Sequence, residues 1–358
     1  MSDVNNLNRT IANPAIDRRF SVAPMLDWTD RHCRYFLRLI SRHALLYTEM
    51  VTTGAIIYGK GDYLAFSQEE HPLALQLGGS NPVDMARCAE MAQARGYDEV
   101  NINVGCPSDR VKNGSFGACL MAQPNVVADC IRAMQAVVDI PVTVKCRIGI
   151  DDMDEYSDFA RFIDTVANAG CDTFIVHARK AWLQGLSPKE NREVPPLNYP
   201  RVHQLKGERP ELSISINGGV KTLEQAKEQL AVVDGVMMGR EVYANPYLLS
   251  NIDSELFGDH RCVPTRRELV VQMQAYIEQQ TDEWFKPWHV ARHMLGLFQG
   301  QAGGRIWRRY LSQQGTGKNP DPNLLMNALE QVEAAQSEIE EYHAAKQAQE
   351  VSQISHKQ

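Results

Sequence analysis

No run of about 18 uncharged apolar residues occurs in this 358-residue chain, so no transmembrane helix is read from it. The opening residues, MSDVNNLNRTIANPAIDRRF, lack the apolar segment of a secretory signal, and a cytoplasmic protein is expected. The eight cysteines, Cys33, Cys88, Cys106, Cys119, Cys130, Cys146, Cys171 and Cys262, form no C-x-x-C pair. Their scatter argues against a disulfide framework and against a structural zinc site, and no metal is expected. A glycine fingerprint for a Rossmann-type dinucleotide site is also missing. One absence is local. Residues 285–318 contain Lys286, Arg292, Arg305, Arg308, Arg309 and Lys318 but no Asp or Glu.

What is present is ordinary for a globular protein: 44% hydrophobic and 23% charged residues. The net charge of −7, taken alone, argues against a nucleic-acid partner, but it averages over a +6 segment (285–318) and a −5 segment (319–358). Trp288, Trp307 and Tyr310 lie within the basic segment. Basic and aromatic residues together suit a phosphate backbone and unstacked bases. They equally suit a solvated helix face over core aromatics.

Eight short apolar or β-branched runs recur between residues 20 and 240: FSVAPM, LLYTEM, LALQLG, EVNINVG, PVTVKCRI, TFIVHA, SISING and GVMMGR. Helical periodicity separates them, most clearly at 82–97, where Asn81 and Pro82 open the pattern and Gly96 closes it. The segments 154–170 and 222–233 have the same form. Strands alternating with helices imply a parallel sheet buried on both faces. Eight units fit a closed (β/α)8 TIM barrel of about 250 residues. Beyond Tyr247 no strand pattern returns, and helices are expected over 265–281, 285–311 and 322–346. The reading is a leader (1–18), a catalytic barrel (19–254), an all-helical domain (255–342) and a polar tail (343–358).

Active sites of such barrels lie at the C-terminal ends of the strands. That rim collects Pro24 and Met25, Glu49 and Met50, Gln76, Asn103 and Cys106, Lys145, His177, Asn217 to Gly219, and Gly239 with Arg240. Cys106 sits between Gly105 and Pro107 in a turn that would expose its thiol. With no partner signature of a cysteine protease, the thiol reads as a general acid. Lys145 could form a Schiff base or act as a fixed cation. INGGV and MGRE end strands seven and eight, where barrels often bind phosphate through glycine turns. The phosphate could belong to a sugar substrate or to a cofactor, and these residues alone do not decide.

Taken together, APMLDWTD, NINVGCPS, VKCRIG, VHAR, INGGV and MGR resemble the tRNA-dihydrouridine synthases over roughly residues 19–340. LSPKENREVPPLNYPRVHQLKG (186–207) resembles the A subfamily, which acts on D-loop uridines 20 and 20a. The resemblance implies bound FMN, NADPH as reductant, and tRNA as substrate. It places Ala23, Pro24 and Met25 at the flavin ring, and Gln76 at its pyrimidine edge. It sets Lys145 beside N1 and O2, and His177, Asn217, Gly218, Gly219, Gly239 and Arg240 at the phosphate end. Asn103 would orient the target uracil, and Cys106 would protonate C5 after hydride reaches C6. Charge and position add Lys189, Asn191, Arg192, Arg305, Arg308 and Arg309 as tRNA contacts. A monomer is expected. The competing readings are a flavin barrel for a free pyrimidine, like dihydroorotate dehydrogenases, a Schiff-base phosphosugar aldolase, and an RNA-binding protein on a retired barrel.

Overall fold

A computed structural model describes residues 16–108, 116–281, 284–317 and 321–355, with side chains up to residue 347. Lys318 of the basic segment, most of the expected leader and the last three residues lie outside the described residues. Eight strands form one parallel sheet: β1 (Phe20–Val22), β2 (Leu46–Thr52), β3 (Leu73–Gly78), β4 (Glu99–Val104), β5 (Val142–Arg147), β6 (Thr173–His177), β7 (Ser213–Asn217) and β8 (Gly235–Met238). The hydrogen-bonded order runs β1-β8-β7-β6-β5-β4-β3-β2. A parallel bridge between Ser21 and Leu45 joins the two ends. There the Val22 N–H donates to the Leu45 carbonyl at 2.9 Å and the Leu45 N–H to the Phe20 carbonyl at 3.1 Å. The expected (β/α)8 barrel is therefore present, closed by short β1.

The helices form where local chemistry starts and stops them. Asn81 accepts from the N–H groups of Val83 and Asp84, and Pro82 opens the helix Pro82–Arg95. Thr265 and Glu268 form a reciprocal capping box on Arg266–Glu278. The outward faces of the strands and the inner faces of the helices share one large apolar cluster. A second, smaller cluster of Ala23, Leu45, Tyr47, Ala74, Ile175 and Met237 fills the barrel interior. The other inward positions of β3, β4 and β5 are polar: Gln76, Glu99, Asn101, Asn103 and Thr143, all buried. These strands alternate instead of running apolar throughout, because one face meets helices and the other meets a polar interior.

After β8 the chain is helical among the described residues. Gly304–Gly315 and Leu324–Ser355 pack through Trp307, Leu311, Leu325 and Leu329, all buried. Two sequence boundaries move. The last helix continues through the expected polar tail to Ser355, since no Gly or Pro interrupts it. Arg18, grouped with the leader, instead ion-pairs with buried Glu99 at the N-terminal end of the barrel. No helix among the described residues is long and apolar enough to cross a membrane.

The helical part is tied to the barrel's first loop. Asp30 caps the helix Arg31–Ile40 by accepting from the His32 and Cys33 N–H groups. Its Oδ2 also pairs with Arg292 at 2.5 Å and with His293 Nε2 at 3.0 Å. Burial opposes ionisation of the Asp30 carboxyl, but His293, followed by the Cys33 N–H and His32, holds it well below the usual carboxylate range. Trp28 stacks on Tyr243 with ring centroids 4.4 Å apart.

Candidate active site

The C-terminal rim assembles the sequence-selected residues into two groups. The first surrounds Cys106. Asn103, at the end of β4, turns its side-chain carbonyl toward the following loop and accepts from the N–H groups of Gly105 at 3.1 Å and Cys106 at 2.9 Å. The Asn103 amide nitrogen donates to Gln76 Oε1 at 2.8 Å. The Cys106 thiol is half-buried and lies 3.4 Å from the Ser108 hydroxyl. The turn expected from G-C-P therefore does present a thiol at the rim, and a neighbouring amide holds it there.

The second group lies across β5 to β8 and is cationic. Lys145 donates to Asn217 Oδ1 at 3.1 Å, and Asn217 in turn donates to the Met237 carbonyl at 2.8 Å. Burial, and then the nearby Arg147, push the Lys145 ammonium down to about 8. Burial, then Arg147 and Lys145, drive His177 well below the usual histidine range, so the ring is neutral at pH 7. His177 lies against Gly218, where a Cβ would stand 2.6 Å from its ring. Gly218 and Gly219 have φ of 103° and 79°, which explains why this turn needs glycine. Gly239 closes the group by abutting Ala23 and Met25, with a Cβ there 3.1 Å and 3.3 Å from their side chains. The expected cofactor residues of β1, β5, β6, β7 and β8 are thus contiguous.

The arginines of the VKCRIG and VHAR motifs belong here as well. Arg147, 3% exposed, donates to the carbonyls of Gly105 at 2.8 Å and of Lys180 and Asn191 at 3.0 Å each. It lies beside Cys106, and burial lowers it to about 10. Arg179 approaches the same loop through the Pro195 carbonyl. Their signal was in the motifs themselves, the arginines of VKCRIG and VHAR. Among the ion pairs of the described residues, none involves Lys145, Arg147, Arg179 or Arg192, and Arg240 pairs with Glu193 at 2.8 Å. Four cations without an ion pair among the described residues, a neutral imidazole and a glycine turn suit a group that carries a phosphate and gains negative charge.

The expected RNA contacts divide. Lys189 and Arg192 are exposed on the loop after β6. Asn191 is fully buried: it accepts from the Trp182 N–H and donates to the Trp182 and Leu186 carbonyls. Its amide shapes the loop instead of facing solvent, a correction that composition could not foresee. Arg305, Arg308 and Arg309 share the outward face of Gly304–Gly315 at i, i+3 and i+4 spacing, and all three are exposed. Trp307 faces inward, 0% exposed, its Nε1 donating to the Met294 carbonyl at 2.8 Å. So the basic helix presents charge, and this indole serves the core.

The dihydrouridine synthase (Dus) family profile matches residues 21–338. A tRNA-dihydrouridine(20/20a) synthase of Escherichia coli (strain K12) is 60% identical over 337 residues, covering 92% of this chain and 98% of that protein. A protein of the same name from Shewanella oneidensis is 63% identical over 309 residues, covering 86% and 91%. Among solved structures, a 2-naphthoyl-CoA reductase complex aligns with TM-score 0.51 at 13% identity, covering 65% of this chain and 49% of that one. That likeness concerns the fold alone.

Proposed function

The chain belongs to the dihydrouridine synthase family, and on that premise we propose that it reduces the C5=C6 bond of uridines 20 and 20a in the tRNA D-loop. The resident flavin is FMN and the reductant is NADPH. Bound and reduced, the flavin supplies hydride to C6 of the uracil. Everything else falls to the chain's own residues.

The observation that carries this reading is the pairing of one held thiol with a rim where, among the described residues, Lys145, Arg147, Arg179 and Arg192 form no ion pair. Cys106 delivers a proton to C5, a general-acid contribution of about 10²–10⁴-fold. Asn103 fixes the loop that carries the thiol and orients the uracil. Lys145 and Arg147 offset negative charge that develops beside them, and their burial makes that interaction stronger than it would be in water. Ala23, Pro24, Met25 and Gln76 line the ring, and His177, Asn217, Gly218, Gly219, Gly239 and Arg240, with Arg179, hold the phosphate end.

Residues 255–342 form the RNA-binding domain beside the 19–254 catalytic barrel. Arg305, Arg308 and Arg309 contact the tRNA backbone, joined by Lys189 and Arg192 at the rim. Their contacts offset the few kcal/mol needed to unstack the target base. The protein acts as a cytoplasmic monomer. The free-pyrimidine alternative leaves the basic helix without a task.

A visible spectrum of the purified protein tests the reading. It should show oxidised flavin that bleaches on adding NADPH and recovers on adding unmodified tRNA. A colourless protein that cannot be reconstituted with FMN would overturn it.

A further inference from the structure

A continuous line of side-chain hydrogen bonds crosses the barrel interior from its N-terminal end to the Cys106 loop. Arg18 pairs with Glu99 Oε2. The other carboxylate oxygen, Oε1, accepts from the Thr143 hydroxyl at 2.6 Å and the Tyr47 hydroxyl at 2.8 Å. The Thr143 oxygen accepts from Asn101 Nδ2 at 2.9 Å. Asn101 Oδ1 accepts from Gln76 Nε2 at 2.8 Å, and Gln76 Oε1 accepts from Asn103 Nδ2 at 2.8 Å. Asn103 Oδ1 then accepts from the Gly105 and Cys106 N–H groups. From Glu99 to Asn103 every member is buried: Glu99, Asn101 and Thr143 at 0%, Gln76 at 1% and Asn103 at 9% exposure.

The line has a direction, and both ends demand the same one: the Gly105 and Cys106 N–H groups can only donate to Asn103, and the far end can only accept. A carboxylate can only accept, so the Thr143 hydroxyl must donate to Glu99. The Thr143 oxygen is then left to accept, which turns the Asn101 amide nitrogen toward it and the Asn101 carbonyl toward Gln76. The same logic turns the Gln76 carbonyl toward Asn103 and the Asn103 carbonyl toward the loop. Two amides that could each face either way are thereby fixed before the loop is reached. With all donors aligned, each bond polarises the next.

We propose that Glu99, acting through Thr143 and Asn101, is a remote positioning residue for the Cys106 loop. Acting with the Gly105 and Cys106 N–H donors, it locks the Asn103 amide with its carbonyl, not its NH2, against the thiol-bearing turn. This rests on Cys106 as the proton donor of the proposed reaction. None of Glu99, Thr143 or Asn101 touches the thiol, so the effect is on geometry and not on chemistry at the reacting atoms.

The test cuts the line at its narrowest point. Thr143→Val keeps shape and removes the hydroxyl, Thr143→Ala does the same with less bulk should the valine not fold, and Thr143→Ser restores the hydroxyl. Tyr47→Phe serves as a control, since it removes a bond to Glu99 that lies off the line. Turnover with unmodified tRNA and the rate of iodoacetamide alkylation at the Cys106 peptide, read by mass spectrometry, are both measured. The expected result is that valine and alanine lower kcat by about ten- to a hundred-fold, in line with small misplacements of catalytic groups. The alkylation rate should change with it. Serine and Tyr47→Phe should behave as wild type in both readouts. Equal kcat and equal alkylation in Val, Ala and Ser variants would overturn the proposal. The alkylation contrast needs no turnover, so it separates this inference from the acid assignment, which Cys106→Ala tests on its own.

Discussion

The two halves of the barrel rim solve opposite problems. Around β3 and β4, polar groups are packed inside and each finds a partner, ending in a loop held by Asn103. Across β5 to β8, Lys145 and Arg147 have no ion-pair partner among the described residues, and burial lowers both. The satisfied side gives fixed geometry; the unsatisfied side gives a standing demand for an anion. A third region, the helix Gly304–Gly315, carries three arginines but leaves them in water. Buried cations define a site, whereas exposed ones make a field that salt can screen.

The largest expected effect is on the geometric side. Cys106→Ala should lower turnover by about 10²–10⁴-fold while the flavin spectrum persists. Steady-state rates with unmodified tRNA, alongside the spectrum, check both halves, and full activity would remove the distinction between a positioned acid and a bystander thiol.

Next comes the exposed field. Replacing Arg305, Arg308 and Arg309 by Gln should lower the slope of log affinity against log salt by about 2 to 3, as three phosphate contacts are lost. Binding titrations between low and high salt would read this. An unchanged slope would move RNA binding away from that helix.

The buried cations should respond to pH. Lys145 is depressed to about 8 by burial, so it is charged at pH 7 and loses its charge as pH rises through 8. FMN binding to the apoprotein should therefore weaken between pH 7 and 9, by up to about ten-fold per unit. Lys145→Met should flatten that dependence. His177, lowered well below its usual range, should add no step between pH 6 and 7.

The smallest effect contrasts two neighbours on one loop. Asn191→Ala should cost about 1–3 kcal/mol in chemical denaturation, because buried backbone groups lose their partners. Lys189→Ala, fully on the surface, should leave stability unchanged. If the two behave alike, burial is not what separates them.

How much was legible beforehand depends on how local each feature is. The eight strand runs and the Asn81 and Pro82 start signal were readable because strand and cap chemistry acts within a few residues. Cys106 at a rim turn followed from Gly105 and Pro107 on either side, whereas the turn is half-buried and not exposed. Asn191 was misjudged because only the folded loop brings the Trp182 and Leu186 backbone groups around it. Trp307 could have been platform or core, and its helix face settled that only once the helix Leu324–Ser355 was packed against it. Arg147 stood inside a quoted motif, yet its reach to Gly105, Lys180 and Asn191 spans three separate segments.

The sequence by itself determined the element order, the eight strand–helix units, the residues at the strand ends and the family resemblance, since each is written in spacing and local chemistry; closure of the barrel came with the Ser21–Leu45 bridge. Tertiary structure decided which of those residues are paired, which cations stand without an acid, and which way the interior amides point. Those properties depend on groups from distant segments meeting in a low-dielectric interior, where an unmet hydrogen bond or charge is costly enough to dictate its neighbours.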